Sequence, residues 1–382
     1  MSQKSFLVSI IVNSYNYGRF LHQTIDSALS QSYKHTEVIV VDDGSTDNSV
    51  EIINSYGNKI IPVIKSNGGQ GSALNAGFVA CKGDVIIFLD SDDKLMPATA
   101  EYAMQPFYDS EIAKVDWPLL IIDEQGAPTG ERLPKNSAEQ PDLKKLTLEN
   151  GPYYDWNVTI PTSGNAWSRS FLEKVFPMPE PGYITCADEF LLTLSPIYGS
   201  NKRLTQPLAY YRSHNSNNGW GRNLTETKVK GDMLRFELSC SVLVEHLNRM
   251  GVTANSQVWK ASNWNYKWMQ KLLIAKEELA SVISPGEIFI VIDDYDLGNE
   301  ILENRIQLAF LERNGEYQGQ PEDSKAAIGQ LQWFLKSKPR YLIIWWTAFW
   351  WLDHYQALHN HLRLNFECLL ENDRLIIFRL TE

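Results

Sequence analysis

The sequence LVSIIVNSYN at positions 7–16 begins a pattern that continues through the first 95 residues. Short β-branched runs occur at Leu7–Val12, Glu37–Val41, Ile60–Ile64 and Val85–Leu89, and stretches of helical periodicity separate them. This alternation predicts βαβ units, and hence a mostly parallel sheet covered by helices on both faces. Because parallel crossovers are right-handed, the carboxyl ends of these strands meet at one edge of the sheet, where such folds bind ligands.

The remainder of the chain changes pattern twice. Residues 97–215 are rich in turns, the following stretch has helical periodicity, and strand-like runs return after Pro285. We therefore predict an α/β domain over 1–222, a helical segment over 223–283, and a small α/β domain of unknown role over 284–382.

Composition excludes several classes of protein. The chain has 382 residues, 43% of them hydrophobic and 21% charged, which is ordinary for a globular protein. Its 35 basic and 46 acidic side chains give a net charge of −11, and no basic face for nucleic acid stands out. The four cysteines lack the paired spacing of a zinc site or disulfide framework, which favours a reduced, cytoplasmic protein.

The sequence predicts a soluble protein without a transmembrane segment. Met1 leads directly into a strand-like run, without the pattern of a signal peptide. The most apolar run, YLIIWWTAFWWL at Tyr341–Leu352, has 12 residues and is too short to span a bilayer. We expect it to form a buried strand followed by a packed turn, and peripheral contact with the inner face of a membrane remains the alternative.

Three polar clusters follow strand ends of the predicted sheet, at Asn13–Asn16, Asp42–Asp47 and Asp90–Asp93. One such cluster alone is typical of a turn or a helix cap. Three clusters at one edge instead indicate a binding site. The carboxylates of Asp90, Asp92 and Asp93 suit Mg²⁺ or Mn²⁺, and such an ion would let an acidic protein bind a nucleoside diphosphate.

The other clusters suggest how a nucleotide base would be held. Asp43 can accept a hydrogen bond from a ring N–H, which favours uracil or thymine. Tyr15 is placed to pack on the face of the base. Backbone groups from Val12 to Ser14 are placed to hold the edge of the base. The loop Asn67–Gly71, which contains Gln70, precedes a helix and would let backbone approach the nucleotide, although a glycine loop alone is a weak signal.

The motifs VSIIVNSYN, EVIVVDDGSTDNS, NGGQGSALNAGF and GDVIIFLDSDD together resemble the nucleotide-sugar half of family 2 glycosyltransferases. The similarity is close over residues 6–100. It continues more loosely to about residue 220, through Pro161–Asn165, Ala187–Phe190 and Tyr211–Asn215. The resemblance implies a GT-A fold, which is Rossmann-like with a mostly parallel sheet. It also implies an inverting, metal-dependent reaction that transfers a sugar from a UDP-sugar donor. The implied acceptor is a saccharide or a lipid-linked saccharide, and the implied product is a surface glycan.

The resemblance assigns roles to the acidic clusters. Asp43 would recognise the base, and Asp92 the ribose or the metal. Asp93 would be the principal metal ligand, and Asp90 opens the DxD pattern. The usual proline after the first strand is Asn13 here, which leaves the role of the backbone at that position open.

The resemblance also assigns the catalytic base to Asp188. Ala187 stands where the family has a glutamate, and Glu189 is the fallback base. Without the resemblance, Asp188 would equally be interpreted as a helix cap. Arg212 and His214 would contact the metal or the diphosphate.

Other features are ambiguous. Gly164 and Asn165 are expected beside the donor or acceptor sugar, and Trp156, Trp167 and Trp220 are candidates for stacking on sugar rings, although most Trp residues belong to cores. Asp293–Asp296 imitates a DxD, but an acidic turn without accompanying clusters is normally a solvated loop.

Two other functions are compatible with parts of this sequence. A nucleotidyltransferase would need a basic, glycine-rich loop after the first strand, where this chain has Asn13–Asn16. A non-catalytic nucleotide-sugar or glycan-binding protein that retained the fold would explain Ala187 but not the retained acids.

Overall fold

A computed structural model describes residues 5–135, 141–152, 158–214, 217, 225–293, 304–313 and 316–381. The chain divides into two compact units. The first contains Met1–Trp220 and Arg235–Ser262, and the second contains Gly221–Leu234 and Asn263–Glu382. The predicted helical segment 223–283 is therefore shared between the two units and does not stand as a separate part.

The described strands and helices of the first unit follow in chain order. The strands are β1 (Val8–Ser14), β2 (Thr36–Asp42), β3 (Ile61–Ile64), β4 (Val85–Asp90), β5 (Lys94–Leu95), β6 (Ile112–Asp116), β7 (Leu119–Ile122), β8 (Pro128–Leu133), β9 (Asn165–Ser168), β10 (Ser200–Arg203) and β11 (Ala209–Arg212). The helices are α1 (Gly18–Leu29), α2 (Ser49–Ser55), α3 (Gln70–Ala80), α4 (Thr99–Met104), α5 (Leu143–Asn150), α6 (Arg169–Val175), α7 (Asp188–Tyr198), α8 (Glu226–Arg249) and α9 (Ser256–Ser262). Helix α8 contributes residues to both units.

Seven of the described strands form the main sheet, in the order β10–β6–β9–β4–β1–β2–β3. Strand β1 runs parallel to β2 and β4, whereas β9 is antiparallel to β4 and β6. The four predicted strands are present within two residues of their predicted bounds. This mostly parallel sheet confirms the GT-A class that the sequence resemblance implied.

The register brings the ends of three strands to one level. Ser14 pairs with Asp42 of β2, and Asn13 pairs with Asp90 of β4. The polar clusters that follow β1, β2 and β4 therefore begin side by side at one edge of the sheet, as the βαβ pattern predicted.

Alternating side chains of the central strands fill a core on each face of the sheet. Val8, Ile10 and Val12 belong to one buried cluster, and Ile11 belongs to the other. Each buried aliphatic side chain contributes about 1.5–3 kcal/mol relative to an exposed one. The strands that end at the acidic edge of the sheet are thus held by a packed core on each face.

A second sheet of the first unit has the order β5–β11–β7–β8. Strand β5 begins one residue after Asp93, and its neighbour β11 ends at Arg212. This pairing fixes the acidic turn Asp90–Asp93 beside the segment that contains Arg212 and His214.

The second unit has its own sheet and core. Its remaining described elements are α10 (Trp264–Val282), β12 (Ile288–Ile292), β13 (Ile306–Ala309), β14 (Glu312–Arg313), β15 (Glu316–Tyr317), α11 (Ser324–Leu335), β16 (Tyr341–Trp345), α12 (Trp350–His354), α13 (Gln356–Asn365), β17 (Glu367–Glu371) and β18 (Leu375–Arg379). Five of these strands form a sheet in the order β13–β12–β16–β18–β17.

The apolar run Tyr341–Leu352 is part of that core. Its first five residues form the fully buried strand β16, and a turn of 3₁₀-helix and α12 follow. The predicted buried strand with a packed turn is confirmed. Within the described residues, no helix has the length and apolar character needed to cross a bilayer. Asp294–Asp296 lie outside the described residues.

Candidate functional site

The carboxyl ends of β1, β2 and β4 open into a cleft of about 820 Å³ in the first unit. Seven of the predicted site residues line this cleft. They are Ser14, Tyr15, Asp43, Gln70, Asp90, Asp92 and Asp188. The cleft thus brings residues from five separate parts of the chain into one site.

Asp43 is buried, and its carboxylate is held by three donors. The Lys65 Nζ atom is 2.6 Å from Oδ1, and the backbone N–H groups of Gly68 and Gly69 donate to the two oxygens at 2.7–3.1 Å. Because the Gly68 N–H is shared between both oxygens, four hydrogen-bond contacts fix the orientation of the carboxylate. The glycine loop therefore orients Asp43, a role that the sequence did not predict.

The same loop packs closely on the segment that precedes Asp188. Gly69 has φ +87°, and a Cβ atom there would lie 2.6 Å from Ile184 Cα. The N–H groups of Gln70 and Gly71 donate to the carbonyls of Ile184 and Tyr183 at 2.9 and 2.8 Å. The glycines are required for this backbone approach, whereas the sequence analysis expected them to admit a nucleotide.

Asp90 receives two side-chain hydrogen bonds on one oxygen. Asn13 Nδ2 and Gln70 Nε2 donate to Asp90 Oδ1 at 3.0 and 3.1 Å. Burial and the charge of Asp92 raise the pKa of Asp90 above its usual range, and these hydrogen bonds oppose the rise. Asn13, which replaces the expected proline, thus acts through its side chain.

Asp92 and Asp93 point to different partners. Asp92 lines the cleft, and its Oδ2 atom is 3.0 Å from His214 Nε2. Asp93 is almost fully buried, and its Oδ1 atom accepts the backbone N–H of Arg212 at 2.8 Å. Burial, followed by the charges of Asp92 and Asp90, raises the pKa of Asp93 well above its usual range.

Arg212 is fully buried and is not among the residues that line the cleft. Its Nε atom donates to the carbonyl of Asp92 at 2.8 Å, and its Nη2 atom donates to Gln23 Oε1 at 3.0 Å. The guanidinium also lies over the Phe20 ring, 4.7 Å from the centroid. This geometry gives Arg212 the role of holding the acidic turn, in place of the expected contact with a diphosphate.

Two other predicted residues lie away from the cleft wall. Val12, whose backbone was expected to hold the edge of a base, is fully buried in β1 between Val40 and Leu89 and is not among the residues that line the cleft. The His214 ring is buried behind Asp92, against the rings of Tyr17 and Phe20.

Asp188 is the first residue of α7, and it lines the cleft. The N-cap position belongs to Ala187, and no side chain caps this helix. The Asp188 carboxylate is therefore not used as a cap, which was the alternative interpretation. Burial raises its pKa to about 7, and the negative charges of Glu189 and Asp90 add to the rise. A carboxyl group with this pKa can take up a proton near neutral pH.

Glu189, the fallback base, is engaged elsewhere. Its Oε2 atom accepts a hydrogen bond from Arg235 Nε at 2.8 Å, in a partly buried ion pair. Glu189 is not among the residues that line the cleft.

The cleft residues fit a divalent cation that is shared with a ligand. Among the described residues, no group of three or more His, Cys, Asp or Glu side chains is arranged to hold a metal ion by itself. However, Asp92 and His214 offer a carboxylate oxygen and an imidazole nitrogen 3.0 Å apart. Nucleotide-dependent Mg²⁺ sites commonly take one or two protein ligands and complete the coordination with phosphates and water.

Several residues of the cleft wall were not predicted from the sequence. Arg19 is the one cationic side chain among the described residues that line it, and the backbone around Ile184–Cys186 forms the side next to Asp188. Arg19 follows the first polar cluster by three residues, but nothing in that spacing indicates which way the side chain points. Its Nη1 atom is 3.0 Å from Glu124 Oε1.

The other candidates lie in the core or outside the described chain. Gly164, Asn165 and Trp167 are buried, and none of them is among the cleft-lining residues. Trp156 and Trp220 lie outside the described residues.

Comparison with known proteins agrees with this geometry. Residues 9–176 match the family described as Glycosyl transferase family 2. An uncharacterized glycosyltransferase of Nostoc sp. is 37% identical over 252 residues, which cover 65% of this chain and 77% of that relative. The chain belongs to glycosyltransferase family 2. It is therefore an enzyme of the glycosyltransferase type, and the non-catalytic and nucleotidyltransferase alternatives are set aside.

Other similarities to this glycosyltransferase are narrower. The chondroitin synthase of Pasteurella multocida is 43% identical over 104 residues, which cover 26% of this chain and 11% of that protein. The crystal structure of S. aureus TarS 1–349 with UDP-GlcNAc is 16% identical, covers 72% of this chain and 82% of TarS 1–349, and has a TM-score of 0.45. A similarity at this TM-score gives no information about the substrate.

Proposed function

We propose that this glycosyltransferase moves a sugar from a UDP-sugar to an acceptor hydroxyl by a single, inverting displacement that depends on a divalent metal. One observation carries the proposal. A carboxylate with a raised pKa, Asp188, lines the same cleft as Asp90 and Asp92. A base for the acceptor and an acidic turn for the donor are thus present in one site.

In the proposed reaction, Asp188 is the general base. The acceptor oxygen forms a bond to the anomeric carbon, and the bond from that carbon to the diphosphate oxygen breaks. The hydroxyl proton passes to Asp188, and the bonding electron pair leaves with UDP. Because attack and departure occur on opposite faces of the sugar, its configuration inverts.

Donor recognition is assigned to the side of the cleft formed after β1 and β2. Asp43 lines the cleft and would accept the N3–H of uracil, and Lys65 and the glycine loop hold its carboxylate in place. Tyr15 is 46% exposed and has the free ring face that stacking on a base requires. Arg19 is the cation placed to meet the diphosphate, since Arg212 is enclosed by protein.

A divalent ion, Mn²⁺ or Mg²⁺, would be held by Asp92, which lines the cleft, with His214 Nε2 directly behind it, 3.0 Å from Asp92 Oδ2. When bound, it would stabilise the negative charge of the leaving diphosphate. Asp93, expected to be the principal ligand, is assigned a supporting role because its carboxylate accepts the N–H of Arg212.

The proposed acceptor is defined by the group that reacts, which is a hydroxyl. Asp188 is suited to take the proton of a hydroxyl, and the proposed acceptor is therefore a saccharide or a lipid-linked saccharide. A lipid-linked acceptor would bring the protein into contact with a membrane surface.

The proposal is tested by calorimetric titration of UDP, GDP and dTDP, each with Mn²⁺ and again with a chelator. We expect metal-dependent binding that prefers UDP, followed by release of UDP from UDP-sugars. Asp188→Asn should bind Mn²⁺ and UDP as the wild type does, but its rate of UDP formation from UDP-sugars should be much lower. Absence of nucleotide binding with Mn²⁺ present would refute the proposal.

A further inference from the structure

The side chain of Gln70 connects two parts of the cleft. Its Nε2 atom donates to Asp90 Oδ1 at 3.1 Å, and its Oε1 atom accepts the backbone N–H of Ala187 at 2.9 Å. One end of the amide thus contacts the acidic turn, and the other contacts the residue immediately before Asp188. These two contacts join positions that are about a hundred residues apart in the chain.

The segment before Asp188 needs such a contact. Its first part is fixed to the start of α3 by two backbone hydrogen bonds, at Tyr183 and Ile184. Beyond these, Cys186 has φ +55°, a left-handed conformation that non-glycine residues adopt only when neighbouring contacts hold them. The bond from Ala187 N–H to Gln70 Oε1 holds the residue that follows Cys186, immediately before α7 begins.

Ala187 cannot orient Asp188 through its own side chain, because a methyl group makes no hydrogen bond. Its backbone N–H, however, is within the reach of Gln70. The amide group suits this position because it offers one donor and one acceptor, as the two contacts require. Neither an acid nor an amine of similar length would satisfy both.

We propose that Gln70 is a positioning residue, which fixes the turn that carries Asp188 to the carboxylate of Asp90. This inference rests on the proposed function of Asp188 as the base. Gln70 had been expected to bind the nucleotide. It instead sets the distance between the base and the donor side of the cleft, on which the rate of the displacement depends.

Cys186 provides a readout that does not depend on activity. Its thiol is partly exposed within the turn, and Cys368 of the second unit is partly exposed as well. The experiment measures the alkylation rate of each cysteine by iodoacetamide, with peptide mass spectrometry. If Gln70 holds the turn, Gln70→Met should raise the alkylation rate of Cys186 by about fivefold or more, because local opening becomes easier. The rate at Cys368 should not change.

Asn13→Leu is the matched control. It removes the other donor to Asp90 Oδ1 but leaves the Ala187 contact in place. We expect its Cys186 rate to stay within about twofold of the wild type. Equal Cys186 rates in the two variants would overturn the proposal.

A second pair of variants guards against misfolding of Gln70→Met. Gln70→Lys keeps a donor for Asp90, and Gln70→Glu keeps an acceptor for Ala187 N–H. Faster alkylation of Cys186 in the lysine variant than in the glutamate variant is expected, and equal rates would again contradict the proposal.

The kinetic readout separates this inference from the proposed function. With Mn²⁺, release of UDP from UDP-sugars should be about tenfold slower in Gln70→Met than in Asn13→Leu, while the two variants bind UDP alike. In the background of Asp188→Asn, Gln70→Met should cause no further loss, since it acts through the base. If the wild type neither binds UDP nor releases it, the proposed function fails, and the alkylation rates still decide whether Gln70 holds the turn.

Discussion

Arg235 Nε lies 2.8 Å from Glu189 Oε2, and this ion pair separates the roles of two adjacent acids at the start of α7. Glu189 is neutralised by a cation outside the cleft lining. Asp188, one residue earlier, keeps its carboxylate in the cleft and is not used to cap the helix. Two neighbouring acids that look equivalent in the sequence therefore differ in what they can do.

We expect Asp188→Asn to lower kcat by about 100-fold or more, because general-base catalysis commonly contributes at least that factor. Glu189→Gln should leave kcat within about fivefold of the wild type above pH 8, since it removes the ion pair with Arg235 and one of the charges that raise the pKa of Asp188 but leaves the Asp188 carboxylate in the cleft. The measurement is release of UDP from a UDP-sugar at saturating Mn²⁺ and acceptor. The assignment would be reversed if the glutamine variant were inactive and the asparagine variant active.

The pH dependence of kcat should follow Asp188. Because burial, Glu189 and Asp90 raise its pKa to about 7, the base is protonated and inactive below that pH. At saturating donor and metal, kcat should rise about tenfold per pH unit below pH 7 and level off above pH 8. The residual rate of Asp188→Asn should lack this step. A wild-type profile that is flat between pH 5 and 9 would exclude Asp188 as the base.

The raised pKa of Asp188 also affects stability. The folded protein holds the Asp188 proton more tightly than the unfolded chain does, so the free energy of unfolding falls as pH rises from about 4 to about 7. At pH 8, we expect Asp188→Asn to be more stable than the wild type by about 2 kcal/mol. Chemical denaturation at pH 8 and at pH 4 provides the test. A gain of the same size at pH 4 would point to packing as its cause.

The fold was largely predictable because it depends on patterns that are local in the chain. Runs such as Val85–Leu89 are buried on both faces, and their composition alone indicates central strands. The register that aligns Asn13 with Asp90 then follows from parallel pairing. In the second unit, β13 was missed because Ile306–Ala309 is a short, partly exposed strand without a strong apolar pattern.

The site was predictable in its residues but less so in their roles. Which acids lie near the sheet edge follows from strand order, but the direction of each side chain depends on tertiary contacts. Asp92 and Asp93 are adjacent, yet only Asp92 faces the cleft, because pairing between β5 and β11 brings the N–H of Arg212 to Asp93. Arg212 was expected in the cleft because no sequence pattern distinguishes a buried arginine from an exposed one.

Asp43 should set the preference for the base. Uracil has a donor at N3, whereas cytosine has an acceptor there, so a carboxylate favours UDP over CDP. We expect Asp43→Asn to reduce the UDP-to-CDP affinity ratio by about tenfold or more, because the amide can donate to cytosine. Lys65→Met, which removes the cation from Asp43 Oδ1, should weaken both nucleotides without changing their ratio. Calorimetric titration with Mn²⁺ measures both ratios, and an unchanged ratio in Asp43→Asn would place the base elsewhere.

The contrast between Asp92 and Asp93 yields the last prediction. Asp92 lines the cleft and contacts His214 through its Oδ2 atom, whereas Asp93 does not line the cleft and its Oδ1 atom accepts the backbone N–H of Arg212. Asp92→Asn should therefore weaken Mn²⁺-dependent UDP binding by about 100-fold while changing the thermal midpoint little. Asp93→Asn should leave Mn²⁺-dependent UDP binding within about fivefold of the wild type, since the Asp93 side chain does not line the cleft and an amide oxygen can still accept the N–H of Arg212.

The two variants are compared by calorimetric titration of UDP with Mn²⁺ and by thermal unfolding without metal. Because both substitutions remove one negative charge from the same turn, a general electrostatic effect would weaken metal binding equally in both. A larger loss of metal-dependent binding in Asp93→Asn would restore Asp93 as the principal ligand. A loss confined to Asp92→Asn, repeated in His214→Ala, would locate the ion at Asp92, whose Oδ2 atom lies 3.0 Å from the imidazole.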